Sequence, residues 1–469
     1  MTPPVPPSPH SLAGARVLVM GLGRFGGGVG VTRWLASQGA HVTVTDLETE
    51  ADLAGPLASI ADLVSAGRVR LKLGGHDPAD FTRQQTDLVV ANPAVPRPWD
   101  NTYLRAAREA GVPVTTEICL LVQRLPSRAR TVGVTGSVGK STTSAMIAHA
   151  LATVAGDTLL GGNIGGSLLT RLNEITPDTR IVLELSSAML HWLDASVEGG
   201  WSPRVAVLTS IAPNHVDWHG SFEHYTRSKR HIFRHQQPGD AAVIPLAAAA
   251  HADWPNPGVA HAPVPPFPLP LSIPGAHNAD NAAAALAACR ALEPTLDPGA
   301  LARAIAAFPG LPHRLQLVAE HEGIRFYNDS KSTTPEATLT ALSAVASMPG
   351  FSGGAGGRIH LIAGGYDKGI DLSPIARAAA NGPGGPLGGL YTVGQTGETL
   401  AADARAAGAR HAVYTATVED AVAAALPRLT PGDVLLLSPG CASWDQFDNY
   451  EQRGNLFIRT VRRLTAHKG

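Results

Sequence analysis

The stretch TVGVTGSVGKSTTSAMIAHALATV, residues 131–154, decides the fold of the central part of this chain. A short apolar segment leads into a glycine-rich turn and then into a run of good helix formers, so the order strand, loop, helix is predicted. The turn fits the phosphate-loop pattern G-x-x-x-x-G-K-[ST] only at its end, because Val134 stands where the first glycine is required and Gly133 lies one position early.

The turn still keeps most of the chemistry that a bound phosphate needs. Lys140 supplies a cation for terminal phosphates, and Ser141 or Thr142 offers a hydroxyl group for Mg²⁺. Gly136 and Gly139 expose backbone amides to an anion. On this generic pattern alone, a nucleotide site and an ordinary glycine turn are equally good interpretations.

The composition of the 469-residue chain fits a soluble globular protein of two to four domains, and three is the natural expectation. With a net charge of -1, nothing favours nucleic acid or an anionic membrane as a partner, so small molecules are expected. Three cysteines without disulfide or metal spacing favour a reducing compartment, the cytoplasm. Residues 1–10 are rich in proline and predict a disordered lead-in, and no segment has the roughly 18 apolar residues of a membrane helix.

Apolar strands alternate with helices along the whole chain, which predicts an α/β fold in three domains with parallel sheets. The predicted domains are residues 11–125, 126–309 and 310–469. Beyond residues 131–135, strands are predicted at RVLVM, HVTVTD, DLVVANPAV, VPVTT, IVLELS, RVAVLTSI, IRFYNDS, IHLIAGG, GLYTVG and DVLLLSP.

Proline and glycine mark the irregular segments. Residues 255–275 carry too much proline for a central strand or a helix and are expected to form loop or edge structure. The glycine-rich stretches 353–357 and 382–389 are expected to be surface loops.

A second glycine loop lies near the start of the chain. Gly21, Gly23 and Gly26 satisfy G-x-G-x-x-G directly after a strand, and Asp46 ends the next strand. The loop could hold a diphosphate while the carboxylate accepts ribose hydroxyl groups, as in a nicotinamide-dependent oxidoreductase. The alternative is a tight strand-to-helix turn without a ligand.

The stretch GVTGSVGKST resembles the nucleotide loop of the Mur ligase and folylpolyglutamate synthetase superfamily, in which the first glycine also lies one position early. Further motifs of the superfamily follow in order, and the last three resemble the D-glutamate-adding branch, whereas the Asp-Asn-Pro-Arg motif of the diaminopimelate- and lysine-adding branches is absent. These motifs are GGNIG (161–165), LELSS (183–187), NHVDWHGSFEHYTRSKRHIF (214–233), GAHNADN (275–281), PHRLQ (312–316), NDSKSTT (328–334), GGYDKG (364–369) and SPGCASWDQFDNYEQRG (438–454).

The resemblance implies an ATP-dependent ligase that activates a carboxylate as an acyl phosphate and lets an amine attack it. It implies a Rossmann-like N-terminal domain that binds UDP, a central P-loop ATPase-type domain and a Rossmann-like C-terminal domain that binds the amino acid. The implied substrates are UDP-N-acetylmuramoyl-L-alanine and D-glutamate, in cytoplasmic peptidoglycan precursor synthesis, and the protein is expected to be a monomer.

The resemblance also assigns residues to ATP and to two Mg²⁺ ions. Lys140, His215 and Lys229 are the implied catalytic residues, and Lys229 is implied to be carbamylated, which would make it a metal ligand. The implied metal ligands are Ser141, Glu184, His215 and Lys229. The implied ATP-binding residues are Gly136, Ser137, Gly139, Lys140, Ser141, Thr142, Asn278, Asn281, Arg314 and Asp329. Without these motifs, helix capping by the asparagines and an ion pair between Arg314 and Asp329 would be preferred.

The resemblance also assigns residues to the two remaining substrates, the UDP-sugar and the amino acid. Two lysines and several hydroxyl groups suit an amino acid with two carboxylates. The family often has leucine where this chain has Trp444, and Tyr450 stands where phenylalanine also occurs. The implied UDP-sugar residues are Gly23, Arg24, Phe25, Asp46, Asn92 and Asn163. The implied amino-acid residues are Lys331, Thr333, Lys368, Ser443, Trp444 and Tyr450.

Three rival functions remain open at this point. An oxidoreductase would explain the first glycine loop but not the second. A superfamily ligase for another amino acid, or for folate, would not explain residues 438–454. A nucleotide-binding regulatory module would leave Lys140, Glu184, His215 and Lys229 without a task.

Overall fold

The computed structural model describes residues 12–23, 26–197, 200–273, 275, 277–348 and 357–466. These residues form three sheets, one in each of the predicted α/β regions, and the sheets are parallel except for one antiparallel hairpin in the third. Within the described part of the chain, no helix combines the length and the apolar character that crossing a membrane requires.

The first sheet has five parallel strands in the order β3-β2-β1-β4-β5. The chain order reverses direction between β1 and β4, and the carboxyl ends of strands at such a point form the usual ligand crevice of α/β sheets. Its strands are β1 (Arg16–Met20), β2 (His41–Asp46), β3 (Val69–Leu73), β4 (Leu88–Ala91) and β5 (Val114–Thr115). Its helices are α1 (Gly27–Ser37), α2 (Ala54–Ala58), α3 (Ala61–Ser65), α4 (Thr102–Glu109) and α5 (Glu117–Val122).

The second sheet has six parallel strands in the order β11-β10-β9-β6-β8-β7. Its central strands are almost continuously apolar and buried, as expected for a sheet that is covered on both faces. The strands are β6 (Thr131–Thr135), β7 (Thr158–Gly162), β8 (Arg180–Glu184), β9 (Val205–Leu208), β10 (Ala241–Val243) and β11 (Ala260–His261). The helices are α6 (Lys140–Ala155), α7 (Ser187–Ala195), α8 (Val216–His219), α9 (Phe222–Arg234), α10 (His277–Leu292) and α11 (Pro298–Ala306).

The third sheet has six strands in the order β12-β13-β17-β14-β15-β16. β12 and β13 form the antiparallel hairpin at one edge, and the other neighbours pair in parallel. The strands are β12 (Gln316–His321), β13 (Ile324–Asn328), β14 (Ile359–Gly364), β15 (Gly389–Val393), β16 (Ala412–Ala416) and β17 (Val434–Leu437). The helices are α12 (Pro335–Ala346), α13 (Ser373–Asn381), α14 (Gly397–Ala406), α15 (Val418–Ala425) and α16 (Tyr450–Ala466).

The predictions for the irregular segments have three outcomes. Among its described residues, the proline-rich segment contributes only the two-residue edge strand β11, which confirms its expected loop or edge character. A turn closed by a bridge between Gly382 and Gly385 confirms the loop before β15. Most of the predicted loop at 353–357 lies outside the described residues.

By contact density the chain divides into two compact units. The first runs up to Pro268 and includes Asp280–Ile305, so it contains the first two sheets. The second contains Leu269–Ala279 and the chain from Ala306 onward, and it carries the third sheet. The predicted boundary at residue 125 therefore falls inside the first unit, between its two sheets.

The early glycine of the phosphate loop has a packing role in strand β6. A Cβ atom built on Gly133 would lie 2.8 Å from Pro203 and 3.1 Å from Leu185, closer than real Cβ atoms tolerate without a shift of their neighbours. Gly133 belongs to the strand, and the loop proper begins after Thr135. The position of this glycine is therefore set by the core beneath the loop.

The two sheets of the first unit share one hydrophobic core, and polar groups bridge them at its edge. Ser167 lies beyond β7 and donates a hydrogen bond of 2.5 Å to Glu117 at the start of α5. A side chain on Gly30 of α1 would collide with Ser167. Burial raises the pKa of the Glu117 carboxyl to about 7, although the Ser167 hydrogen bond acts in the opposite direction. Glu117 is thus a buried acid at the joint between the two sheets.

This acid predicts a pH-dependent stability. Because the folded pKa of Glu117 lies above the ordinary 4.5, the folded protein binds more protons than the unfolded chain between these values, and the free energy of unfolding falls as pH rises. Between pH 5 and 8, Glu117→Gln should gain about 3 kcal/mol on the wild type in urea denaturation. Glu109→Gln, at an exposed position on α4, is the control. Parallel pH profiles for wild type and Glu117→Gln would contradict the assignment.

Candidate active site

The phosphate loop connects β6 to α6 as predicted, and α6 begins at Lys140. Gly139 precedes the helix with a φ of 86°, a left-handed conformation that glycine adopts without strain. Asn281 of α10 lies so close to Gly139 that a Cβ atom there would collide with the Asn281 amide oxygen. The first helical turn therefore starts in a glycine-lined recess, with its positive dipole end at the loop.

The segment after β9 holds the loop from one side. Ser137 N–H donates to the Ser210 carbonyl oxygen at 2.8 Å, and Val138 N–H donates to Ser210 Oγ at 3.0 Å. Thr209 Oγ1 donates to the Val138 carbonyl oxygen at 2.5 Å. A side chain on Gly136 would also collide with Thr209. These contacts hold the loop in place from the β9 side.

Two lysines converge on one carbonyl oxygen of the loop. Lys140 Nζ donates to the Gly136 carbonyl at 2.9 Å and to the Ser137 carbonyl at 3.1 Å. Lys229 Nζ, from α9, donates to the same Gly136 oxygen at 2.7 Å. The structure thus brings together two of the three predicted catalytic residues.

Lys229 is buried, with 2% of its surface exposed. Burial, followed by the charge of Lys140, lowers the pKa of Lys229 well below its usual value, and Glu184 acts in the opposite direction. Its ammonium group also lies 4.7 Å from the centre of the Tyr225 ring. A buried lysine with a lowered pKa is the form of this side chain that can act as a nucleophile or accept a modification. Lys229 thus differs from most lysines, which lie at the solvated surface.

Glu184 ends strand β8 and is 1% exposed. One carboxylate oxygen, Oε1, accepts a hydrogen bond from Asn163 Nδ2 at 2.7 Å, and the Asn163 backbone N–H donates to the Glu184 carbonyl. The other oxygen, Oε2, is buried and has no hydrogen-bond partner among the described residues. An unsatisfied buried carboxylate oxygen is energetically costly and fits an oxygen ligand for Mg²⁺.

His215 lies in the exposed loop before α8 with a φ of 52°. Desolvation of its ring, followed by the charges of Lys229 and Lys140, lowers its pKa. The neutral imidazole that results is the form that binds metals. Within the described ranges, no group of three or more His, Cys, Asp or Glu side chains forms a ready-made metal cluster.

The other predicted ATP residues of the loop and of α10 have different surroundings. Ser137 Oγ lies 2.8 Å from the Tyr225 hydroxyl and donates to the Ala212 carbonyl. Asn281 Oδ1 accepts a hydrogen bond from Thr143 at 3.3 Å, and Asn278 is buried one turn earlier on α10. Ser141 and Thr142 lie half-buried in the first turn of α6.

At the first glycine loop, the Asp46 carboxylate accepts hydrogen bonds from backbone amides of the protein itself. Its Oδ2 accepts hydrogen bonds from Leu22 N–H at 2.8 Å and Gly23 N–H at 3.3 Å, and its Oδ1 accepts one from Glu48 N–H. The carboxylate therefore already occupies amides that a diphosphate would use in a dinucleotide site. Arg24 and Phe25 lie outside the described residues.

The position of Asn92 explains why two residues of the same loop are glycines. It follows β4, donates to the Gly21 carbonyl at 3.2 Å and accepts from Ala94 N–H at 2.9 Å. Cβ atoms on Gly21 and Gly23 would lie 2.9 and 2.8 Å from the Asn92 side chain. The structure thus brings Gly23, Asp46 and Asn92 together at the switch point of the first sheet.

In the second unit, Asp329 follows β13 and is 3% exposed. It accepts hydrogen bonds from Ser332 Oγ at 2.6 Å, Ser438 Oγ at 2.8 Å and Leu315 N–H at 3.1 Å. Burial raises its pKa to about 6, and these hydrogen bonds oppose the shift. Arg314 is exposed, and the described ion pairs do not include an Arg314–Asp329 pair, the alternative weighed for these residues.

Both predicted substrate lysines of the second unit lie over aromatic rings. Lys331 Nζ is 5.5 Å from the centre of the Tyr450 ring, and Lys368 Nζ is 4.2 Å from the Trp444 ring. Burial, followed by interactions with Glu451, raises the pKa of Tyr450. The other two predicted pocket residues are Ser443, which is buried, and Thr333, which is half-buried.

The sequence analysis missed Arg453, which is 1% exposed in α16. Its guanidinium donates to Ser330 Oγ at 3.0 Å and to the backbone carbonyls of Ser330, Ala442 and Cys441 at 2.9–3.2 Å. Burial lowers its pKa to about 10. Arg453 therefore fastens the loop after β13 to the loop after β17. Its place in the motif at 438–454 was the one signal available.

Together, the phosphate loop, its converging lysines and the buried carboxylate define a nucleotide-binding α/β enzyme. Two family models match the chain: "Mur ligase middle domain" at residues 134–260 and "Mur ligase, glutamate ligase domain" at residues 313–441.

Curated relatives match over nearly the full length. The chain is 37% identical to the UDP-N-acetylmuramoylalanine–D-glutamate ligase of Roseiflexus sp. (strain RS-1), over 97% of this chain and 100% of the relative. It is 36% identical to the enzyme of that name from Pelotomaculum thermopropionicum, over 97% and 98%. The chain therefore belongs to the Mur ligase family, and it is an ATP-dependent ligase that forms amide bonds. This membership removes the oxidoreductase alternative.

Solved structures agree on the fold. MurF ligase from Thermotoga maritima in complex with ADP is similar with a TM-score of 0.51 and 15% identity, over 99% of each chain. MurF from Acinetobacter baumannii is similar with a TM-score of 0.52 and 19% identity, over 72% of this chain and 79% of that one.

The hydrogen bonds of Arg453 predict that even a conservative substitution at this position destabilises the protein. A lysine in its place cannot reach three carbonyls and a hydroxyl group at once, so Arg453→Lys should lower the free energy of unfolding by about 2–4 kcal/mol. Arg459→Lys, at an exposed position on the same helix, is the matched control. Urea denaturation measures both variants. Equal stability of the two would show that the Arg453 hydrogen bonds contribute little.

Proposed function

We propose that this ligase joins D-glutamate to UDP-N-acetylmuramoyl-L-alanine in peptidoglycan precursor synthesis. The observation that carries the proposal is the D-glutamate ligase name of relatives that match nearly the entire chain. The terminal carboxylate of the UDP-sugar peptide takes the γ-phosphoryl group of ATP, and the amine of D-glutamate then displaces phosphate from this acyl phosphate. We further propose that the protein acts as a cytoplasmic monomer with domains at residues 11–125, 126–309 and 310–469.

For ATP, the support is the donor set around the phosphate loop. Lys140 and the start of α6 offer a cation and a positive dipole end to the phosphates. Lys140 donates to carbonyl oxygens of its own loop, and a bound phosphate would replace them as its acceptor. The other proposed ATP residues are Gly136, Ser137, Gly139, Ser141, Thr142, Asn278, Asn281, Arg314 and Asp329.

The residues present fit Mg²⁺ as well. Ser141, Glu184, His215 and, if carbamylated, Lys229 would hold two ions together with ATP oxygens and water. Bound Mg²⁺ would screen the negative charge of the two substrates that meet here. Oε2 of Glu184, which has no hydrogen-bond partner in the described part of the chain, is the observation that supports this assignment. Asn163 supports it too, because its amide turns Oε1 toward itself and fixes the carboxylate plane.

For the remaining substrates, the proposed residues within the described ranges lie near the carboxyl ends of the sheet strands. Gly23, Arg24, Phe25, Asp46, Asn92 and Asn163 are proposed for the UDP-sugar. Lys331, Thr333, Lys368, Ser443, Trp444 and Tyr450 are proposed for D-glutamate. Two cations in the second unit suit the two carboxylates of this amino acid. A relative specific for another amino acid would need a different charge pattern there.

The deciding experiment is phosphate release by the purified protein with ATP, Mg²⁺ and UDP-N-acetylmuramoyl-L-alanine. We expect release to depend on D-glutamate and to stay at background with L-glutamate, meso-diaminopimelate or L-lysine. Stimulation by one of the other amino acids would replace the proposed specificity and keep the ligase reaction. Absence of stimulation by any amino acid would refute the proposed reaction.

Lys229 is expected to be essential. Lys229→Ala should lower kcat by about 100-fold or more, because a charged group at the reacting phosphates is lost. If the lysine works as a carbamate, short carboxylic acids should restore part of the activity, and intact-protein mass should show the added carboxyl group. Activity close to the wild-type value would exclude a catalytic role.

Asn163 should act through Glu184. Asn163→Ala removes the amide that orients the carboxylate, so about 10- to 100-fold more Mg²⁺ should be needed for half-maximal activity. Titration of Mg²⁺ at saturating ATP measures the change. An unchanged Mg²⁺ requirement with a raised KM for the UDP-sugar would instead assign Asn163 to that substrate alone.

A further inference from the structure

Trp444 is an exception among the tryptophans of this chain. Half of its surface is exposed, 51%, whereas Trp34, Trp192, Trp201, Trp218 and Trp254 are buried. An exposed indole forgoes most of the stabilisation that burial of its large apolar surface would give. Burial therefore does not explain the position of this indole, and another interaction is needed to account for it.

The interaction that the structure shows is with a cation. Lys368 Nζ lies 4.2 Å from the centre of the Trp444 ring, well within cation–π range, and the Tyr366 ring lies 5.7 Å from the same indole. Among the described residues, no carboxylate forms an ion pair with Lys368. The ring thus holds the ammonium group without neutralising its charge.

The backbone on both sides of this contact is fixed. Tyr366 and Ala442 form an antiparallel bridge, with Tyr366 N–H donating to the Ala442 carbonyl at 2.9 Å. Gly369 N–H donates to Asp367 Oδ1 at 2.7 Å, which closes a turn around Lys368. The Lys368 side chain itself is exposed and has four rotatable bonds. Without the ring its ammonium group would sample many positions, and binding a carboxylate would have to order it.

We propose that Trp444 is a positioning residue that holds Lys368 for one carboxylate of D-glutamate. The inference rests on the proposed function and goes beyond it, because it assigns selectivity to a residue through its neighbour. The pair of Lys331 and Tyr450 has the same form at a longer distance, 5.5 Å. The ammonium group of Lys368, held by a ring face, offers a charge that an amino acid with two carboxylates can use and one with a single carboxylate cannot.

The test compares Trp444→Leu and Trp444→Phe with the wild type in the phosphate-release assay. Loss of a cation–π contact at an exposed site should raise the KM for D-glutamate about two- to fivefold, with little change in kcat. The KM values for ATP and UDP-N-acetylmuramoyl-L-alanine should not change. Trp444→Phe keeps a ring face and should restore most of the affinity, which a purely structural role would not require.

A double-mutant cycle identifies Lys368 as the partner. In a Lys368→Gln background, Trp444→Leu should change kcat/KM for D-glutamate by less than its effect in the wild type, because the cation is already absent. The effects would multiply if the two residues acted independently, and that result overturns the inference.

A binding readout supplements the kinetics. Trp444 is the sole tryptophan after Trp254 in the sequence, so the emission difference between wild type and Trp444→Phe isolates its signal. D-glutamate should change this signal in wild type and not in Lys368→Gln. If the wild type is active and all Trp444 variants have the same KM for D-glutamate, the inference is overturned but the proposed function stands. A wild type that does not use D-glutamate overturns the proposed function and the inference with it.

Discussion

The structure depends on the convergence of two ammonium groups on the Gly136 carbonyl oxygen. Lys140 comes from the helix after the phosphate loop and Lys229 from a different helix, yet both donate to this one acceptor. Burial, followed by repulsion from the charge of Lys140, lowers the pKa of Lys229. The same repulsion makes the loop ready for anions. A nucleotide phosphate would relieve it, and so would the conversion of Lys229 into an acidic group.

Polar side chains of each sheet gather where parallel strands end. Asp46 and Asn92 follow β2 and β4 in the first sheet, Glu184 ends β8 in the second, and Asp329 follows β13 in the third. This arrangement is general for open α/β sheets, because loops at the carboxyl ends of the strands surround a common crevice. In the first and third sheets these side chains mainly hold neighbouring loops in place. Of these four side chains, only Glu184 keeps a buried oxygen that has no hydrogen-bond partner among the described residues.

Sequence patterns predicted the central strands and the loops well, because buried parallel strands are continuous apolar runs and glycines punctuate them. β3, with its alternating charges, gave no such signal and was missed. The role of Asp46 could not be predicted either: the same spacing serves a ribose contact or a backbone cap, and only the geometry shows the cap. Long-range partners such as Glu117 with Ser167, or Arg453 with Ser330, are 50 and 123 residues apart and leave no local pattern.

The position of Arg453 has a consequence for synthesis of the protein. The loops that follow β13 and β17 meet through a guanidinium that belongs to α16, the last helix of the described residues. Domains generally fold as units from the N-terminus during translation. The first unit can therefore fold while the rest of the chain is still being translated. The loops after β13 and β17 are joined only after α16 has emerged from the ribosome. A chain that ends before α16 would contain the phosphate loop, but its loops after β13 and β17 would lack the guanidinium that joins them.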